Sequence, residues 1–288
     1  MNIKKQLNDK KFTKVEKERF LKDLESVFLR LQKRDYKIAS YSKNAFNVPD
    51  RLNDIYTELE FYALIGKTWA KVLCEININK FSEVADLCPG FSPKIELALF
   101  YAGFEGQVVM IDKDFSALSK LERFMRLFQP KFSLIKKRVD LFNEFKESYD
   151  VVLANHVIDD LVIAYFAEKN GIKLRDVYAK EGKIVILWNK ILKNKEQNLA
   201  EILSVVASVF RKITKRDGII CFTQYKSYME KLLDMDGAFR FNRVLFNALV
   251  KKLTKEDFIQ DKTVVRKALK NFKGHFGEKD CVVLRKNI

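Results

Sequence analysis

Residues Glu83-Val84-Ala85-Asp86-Leu87-Cys88-Pro89-Gly90-Phe91-Ser92-Pro93 place an apolar strand, an acid, a glycine turn and a helix start in that order. Asp86 stands where the strand leaves its sheet, so its carboxylate can accept from a ribose hydroxyl or an amine. Gly90 has no Cβ and lets a ligand come close to the backbone. Ser92 is read as an N-cap and Pro93 as the first helical residue, with Ile95-Glu96-Leu97-Ala98-Leu99-Phe100 continuing as helix. Such a turn aims backbone N–H groups outward and cradles a nucleotide-type ligand.

Further strand tips follow at matching intervals. Gln107-Val108-Val109-Met110-Ile111 ends in Asp112-Lys113-Asp114. An acid at a second strand's carboxyl end, about 20 residues after the glycine turn, is positioned to take ribose hydroxyls. Asp114 then caps a helix running through Leu118, Leu121, Phe124 and Leu127. Phe132-Ser133-Leu134-Ile135 reads as a third strand, with Val139-Asp140-Leu141-Phe142 resuming after a basic interruption. Tyr149-Asp150-Val151-Val152-Leu153-Ala154 is a fourth, ending in Asn155-His156. Successive strand-helix steps with polar tips predict a parallel sheet whose site lies along the carboxyl edge.

Val84 to Ser92 resembles the first motif of the class I S-adenosylmethionine-dependent methyltransferases. Val109-Met110-Ile111-Asp112 resembles their second motif, Val139-Asp140-Leu141-Phe142 their third, and Tyr149 to Leu161 their fourth. Gly218-Ile219-Ile220-Cys221-Phe222-Thr223-Gln224, entered through a turn at Lys215-Arg216-Asp217-Gly218, fits the fifth strand. Asp280-Cys281-Val282-Val283-Leu284-Arg285 fits the last, antiparallel one. The resemblance implies a doubly wound α/β fold, a mostly parallel seven-stranded sheet flanked by helices, and S-adenosylmethionine as cofactor. It implies cofactor contacts at Asp86, Cys88, Gly90, Asp112, Asp140, Leu141 and Asn155. Asp112 takes the ribose hydroxyls, and Asp140 or the backbone at Leu141 meets the adenine amine. His156 and Asn155, at the tip facing the expected methyl group, are the catalytic candidates, with His156 positioning or deprotonating the acceptor. Of the motif's three glycines only Gly90 remains, with Cys88 and Ser92 in the other places. The alternative class is therefore a catalytically inactive, methyltransferase-like binding or scaffolding protein. The absence of G-x-G-x-x-G argues against a nicotinamide dehydrogenase.

A chain of 288 residues with 48% hydrophobic residues has ample material for a packed core. No run of 18 apolar residues marks a membrane span, and the first residues lack the apolar stretch of a secretion signal. Cys74, Cys88, Cys221 and Cys281 are scattered, without zinc-ligand spacing, and read as free thiols in a cytoplasmic protein. Four stretches place the net charge of +16 in the flanks. Residues 1–37 carry +6 (12 basic, 6 acidic), residues 38–79 carry −1, residues 80–160 carry −2, and residues 161–288 carry +13 (27 basic, 14 acidic). That excess is the footprint expected of an RNA acceptor. Lysine outnumbers arginine 40 to 14, and arginine is the better phosphate fork, so a small-molecule acceptor stays in play.

Residues 1–80 are expected to form an N-terminal helical segment ahead of a Rossmann-like domain at 81–288. Apolar residues recur at helical spacing from Phe20 to Leu31 and again from Leu52 to Leu73. About 57 residues separate the fourth and fifth strands, far more than a minimal crossover needs. An insertion at about 162–200 is read as a cap over the acceptor or as extra core packing, followed by a helix from Leu199 to Ile213. Asp159 and Asp160 bind a cation or an amine, or cap the next helix, and His275 is a loop residue. Lys212, Lys215 and Arg216 are the basic cluster expected to meet nucleic acid if it faces the substrate.

Overall fold

The computed structural model describes residues 51–126, 128–143, 145–174, 177, 183–226 and 235–287. The helical pattern from Phe20 to Leu31 and the basic excess of residues 1–37 lie outside the described residues. In chain order the elements are α1 (Arg51–Glu75), β1 (Glu83–Leu87), α2 (Lys94–Ala102), β2 (Gln107–Asp112), α3 (Phe115–Arg126), β3 (Ser133–Arg138) and β4 (Tyr149–Asn155). There follow α4 (Ile158–Lys169), α5 (Lys183–Lys193), α6 (Lys195–Ile213), β5 (Thr214–Thr223), α7 (Asp236–Glu256), β6 (Phe258–Gln260), α8 (Lys262–Leu269) and β7 (Cys281–Lys286).

The chain divides into two compact units. The larger holds residues 62–157, 203–225 and 245–288. Its sheet has the order β3-β2-β1-β4-β5-β7-β6. Strands β3, β2, β1, β4 and β5 run parallel, and β7 is antiparallel to both β5 and β6. Residues Val108 to Ile111 and Val151 to Ala154 are buried without alternation, the signature of strands covered on both faces. Phe222 at the centre of the sheet is gripped edge-on by Phe210 and Phe246, with ring centroids 5.2 and 5.3 Å away. This is the α/β architecture that the strand-helix steps imply.

Three local expectations change. Strand β3 runs straight through Lys136-Lys137-Arg138, and Val139 to Phe142 form a turn after it. The basic residues are tolerated because β3 is an edge strand, half-exposed along most of its length, where charge also discourages edge-to-edge pairing. Helix α6 passes into β5 without a connecting turn. Tyr149 pairs with Thr214, and the register then jumps to Val151–Ile219. Lys215-Arg216-Asp217-Gly218 is thus an irregularity inside β5, with Asp217 at φ 58°. Lys286 stabilises the junction by donating from Nζ to the carbonyls of Arg211 and Thr214 at 2.6 and 2.7 Å. Finally, α2 begins at Lys94 after Pro93, and the Ser92 side chain does not cap it.

The smaller unit contains residues 158–202 and 226–244 among the described part of the chain, with the start of α1. Tyr165 and Lys169 of α4 both reach Glu201, the hydroxyl at 2.7 Å and the ammonium at 2.6 Å. Trp188 of α5 meets Phe241 of α7 edge-on at 5.9 Å. Among the described residues no helix is long and apolar enough to cross a membrane.

Candidate active site

The carboxyl edge of the parallel strands brings together the turns that follow β1, β2 and β3. After β1 the chain turns sharply: Cys88 N–H donates to the Ile111 carbonyl at 2.8 Å, and Cys88 and Gly90 take φ values of 51° and 57°. Left-handed backbone is natural for glycine, whereas at Cys88 it costs about 1–2 kcal/mol. Nothing lies within 4 Å of where a Cβ on Gly90 would sit, so the turn opens on free space. Asp112, at the end of β2, accepts from Gly90 N–H at 3.0 Å and from Asp114 N–H at 2.8 Å. Burial raises the Asp112 carboxyl above the ordinary carboxylate range, and those N–H groups oppose the rise. Asp114 in turn accepts from Ser116 and Ala117 N–H and caps α3, as its position predicts.

Asp140 lies just past β3 and pairs with Lys113 at 2.5 Å. Burial raises its carboxyl, but the Lys113 ammonium and the Phe142 N–H outweigh that and hold it below the usual range. Leu141 beside it is buried. Thus Cys88, Gly90, Asp112, Asp140 and Leu141 line consecutive tips of one edge. Asp86 sits apart from them, only 1% exposed inside β1.

Its neighbour is Glu96 from the first turn of α2, which is also fully buried. Among the described residues, no donor reaches Asp86 Oδ2 or either Glu96 carboxyl oxygen. Two carboxylates cannot bond without a proton, so burial and mutual repulsion keep protons on the pair. Burial, then the adjacent Glu96, pushes Asp86 well above its ordinary value, and burial raises Glu96 to about 7. This partnership is not legible in the sequence, because Glu96 looks like one polar residue in an amphipathic helix. Residues Ile95 to Leu99 are in fact buried all round.

Asn155 and His156 occupy the tip of β4. The register Asp86–Leu153 places Asn155 level with the Cys88 turn. Trp69 Nε1–H donates to Asn155 Oδ1 at 2.8 Å, and Thr223 and Tyr225 hydroxyls approach the same oxygen at 3.3 and 3.2 Å. Asn155 Nδ2 donates to the Tyr225 hydroxyl at 3.1 Å. His156 is 7% exposed with φ 57°, and its Nε2 lies 2.6 Å from the Tyr225 carbonyl. That contact requires Nε2 to carry the proton. Tyr225 stacks on Phe276 at 5.8 Å and meets the His275 edge at 4.7 Å. His275 is in a loop, as read, and its backbone N–H donates to Thr68. Trp69 is fully buried, yet its one polar atom fixes Asn155. Tyr225 escaped notice in the sequence; its signal is an aromatic hydroxyl just beyond a strand's carboxyl end.

The strand order extends the dinucleotide-binding order 3-2-1-4-5-6 by one reversed strand inserted before the last. The glycine turn follows the central strand β1, and acids stand on the tips beside it. The fold is a Rossmann-like α/β fold built on a mostly parallel seven-stranded sheet. No family model matches the chain, and no curated protein matches its sequence. Solved structures do resemble it. The plantazolicin methyltransferase BpumL in complex with SAH is 10% identical over 93% of this chain and 99% of its own, with a TM-score of 0.45. The pyocyanin biosynthetic protein PhzM is 13% identical over 85% of this chain and 61% of its own, at 0.43. The ribosomal protein L11 methylase from Lactobacillus delbrueckii subsp. bulgaricus is 12% identical over 76% and 78%, at 0.39.

The basic cluster does not face this edge. Lys212, Lys215 and Arg216 stand where β5 begins, and seven residues, or about 20 Å of strand, separate Arg216 from the Thr223 tip. Lys215 also pairs with Asp150 at 3.0 Å. Among the described residues no group of three or more metal-ligating side chains occurs, and none of the four cysteines forms a disulfide.

Proposed function

We propose that this chain is an S-adenosylmethionine-dependent methyltransferase. The observation that carries the reading is the joined turn of β1 and β2, in which Asp112 holds the Gly90 N–H and free space opens above Gly90. A side chain at Gly90 would fill that space, so the turn fits a ligand lying against the backbone. Asp112 keeps lone pairs for ribose hydroxyls, since a carboxylate has about four acceptor sites and two are engaged. Asp140 and Leu141 would border the adenine, while Cys88, Gly90 and Asn155 would border the amino-acid end. When bound, the cofactor supplies a sulfonium methyl group. The protein's part is to hold the acceptor in line with it.

His156 with its Nε2 proton committed to a carbonyl is a positioning group: it fixes Tyr225, and through it the Asn155 amide. The acceptor is a small molecule or RNA, and the position of Lys212, Lys215 and Arg216 favours the small molecule. A second reading, a non-catalytic binding module, is favoured by Cys88, which holds a left-handed φ with a side chain where the motif has glycine. Isothermal calorimetry with S-adenosylmethionine and S-adenosylhomocysteine separates the two. Saturable micromolar binding is expected; its absence would refute the enzyme and leave the scaffold.

A further inference from the structure

The Asn155 amide has only one orientation open to it. An indole N–H can donate and cannot accept, so the atom 2.8 Å from Trp69 Nε1 must be the amide oxygen. Turning the amide over would press two donors together. Oδ1 has two lone pairs, and three donors (Trp69, Thr223 and Tyr225) already point at it. Nδ2 has two N–H groups. One goes to the Tyr225 hydroxyl, and the second has no protein partner among the described residues. Toward a ligand, Asn155 can therefore only donate.

We infer that the tip of β4 is a donor site that selects an oxygen nucleophile, a phenol-class acceptor reacting as its oxyanion, and that Trp69 is the positioning residue that sets this polarity. The inference rests on the methyltransferase reading and narrows its substrate class. An amine acceptor brings N–H groups to the tip and needs oxygen acceptors there; Asn155 has none to offer. A phenol brings lone pairs, and a free N–H stabilises its ionised form. Its proton leaves to solvent. The oxygen lone pair then forms the O–CH3 bond while the S–CH3 bond breaks and sulfur keeps the pair, so oxyanion and sulfonium become ether and thioether.

The test uses 4-nitrophenol, whose phenolate absorbs visibly, titrated against pH on the full chain with and without S-adenosylhomocysteine. Bound dye should ionise about one unit below free dye, the size of one hydrogen bond to a charged group. Asn155→Ala should abolish the shift and Asn155→Asp should reverse its sign. Trp69→Phe removes the N–H that orients the amide and should bring the shift toward zero while dye binding persists. No shift, an upward shift, no dye binding, or a shift that survives in Asn155→Ala overturns the inference. Calorimetry with S-adenosylhomocysteine is read separately. A dye shift without cofactor binding would sink the methyltransferase reading and leave the donor polarity standing, and the converse result would do the reverse.

Discussion

Glu96→Gln tests the buried carboxyl pair beneath the glycine turn. Glutamine has the volume of glutamate, so the change removes a charge without opening a cavity. It also brings an NH2 group that can donate to Asp86 Oδ2, an oxygen with no donor in the native chain. The folded Glu96 carboxyl titrates at about 7 against 4.5 when unperturbed, a rise of about 2.5 units. Between those pH values the folded state binds the proton more tightly than the unfolded chain does, so stability falls as pH rises through the window. The contribution is fully present below pH 4.5 and is lost above pH 7. At about 1.36 kcal/mol per unit, the native chain should lose about 2.5 kcal/mol from this group between pH 5 and pH 8. Full burial leaves no solvent screening to discount.

Glu96→Gln is neutral throughout, and so it escapes that loss. Urea unfolding at pH 5, 6, 7 and 8 should find variant and native chain alike at pH 5. By pH 8 the variant should lead by about 2.5 kcal/mol, the linkage loss that only the native chain suffers. Asp86 is itself raised, so the native slope continues past pH 7. Parallel pH profiles, or a variant weaker at pH 8, would refute the shared-proton account. The carboxyls would then have to be ionised and solvated by water.

Asp112→Ala should weaken S-adenosylhomocysteine at least tenfold by calorimetry. It should also cost roughly 1–3 kcal/mol in urea unfolding, because the Gly90 and Asp114 N–H groups lose their acceptor. Unchanged stability would mean those bonds do not hold the turn. Cys88→Gly relieves a left-handed φ at some cost in chain entropy, so thermal unfolding should rise by the equivalent of about 0.5–1 kcal/mol. A lower midpoint would show that the thiol packs usefully. Charge reversal of Lys212, Lys215 and Arg216 together should leave the salt dependence of labelled RNA binding unaltered in fluorescence anisotropy. A flattened slope would return that face to nucleic acid.

The sheet was legible because a parallel, doubly covered strand must be an unbroken apolar run, and the polar residue that ends it marks the tip. That logic located Asp112, Asp140 and Asn155 correctly at the edge. It failed where an element departs from the pattern for a tertiary reason. Lys136-Lys137-Arg138 read as a break, yet an edge strand accommodates all three: Lys136 pairs with Glu122 at 2.6 Å, Lys137 pairs with Glu147, and Arg138 is exposed. Ser92-Pro93 had the chemistry of a helix cap, but the tight turn before it takes the helix start to Lys94. The Trp69–Asn155 bond spans 86 residues, and only the folded sheet brings those partners together.

The three acids of the motif tips look equivalent in sequence and are physically distinct in the fold. Asp86 is sealed in β1 and keeps its proton with Glu96. Asp140 is ionised, and its charge is met by Lys113. Asp112 is half-buried and held by backbone N–H groups alone, so its charge has no side-chain cation beside it. Of the three, Asp112 is the acid that is neither sealed in a strand nor paired with a cation among the described residues. On the methyltransferase reading proposed above, Asp112 would take the hydroxyls of the cofactor. Affinity should accordingly depend on Asp112 far more than on Asp86, an inversion of what the order of the motifs along the chain would lead one to expect.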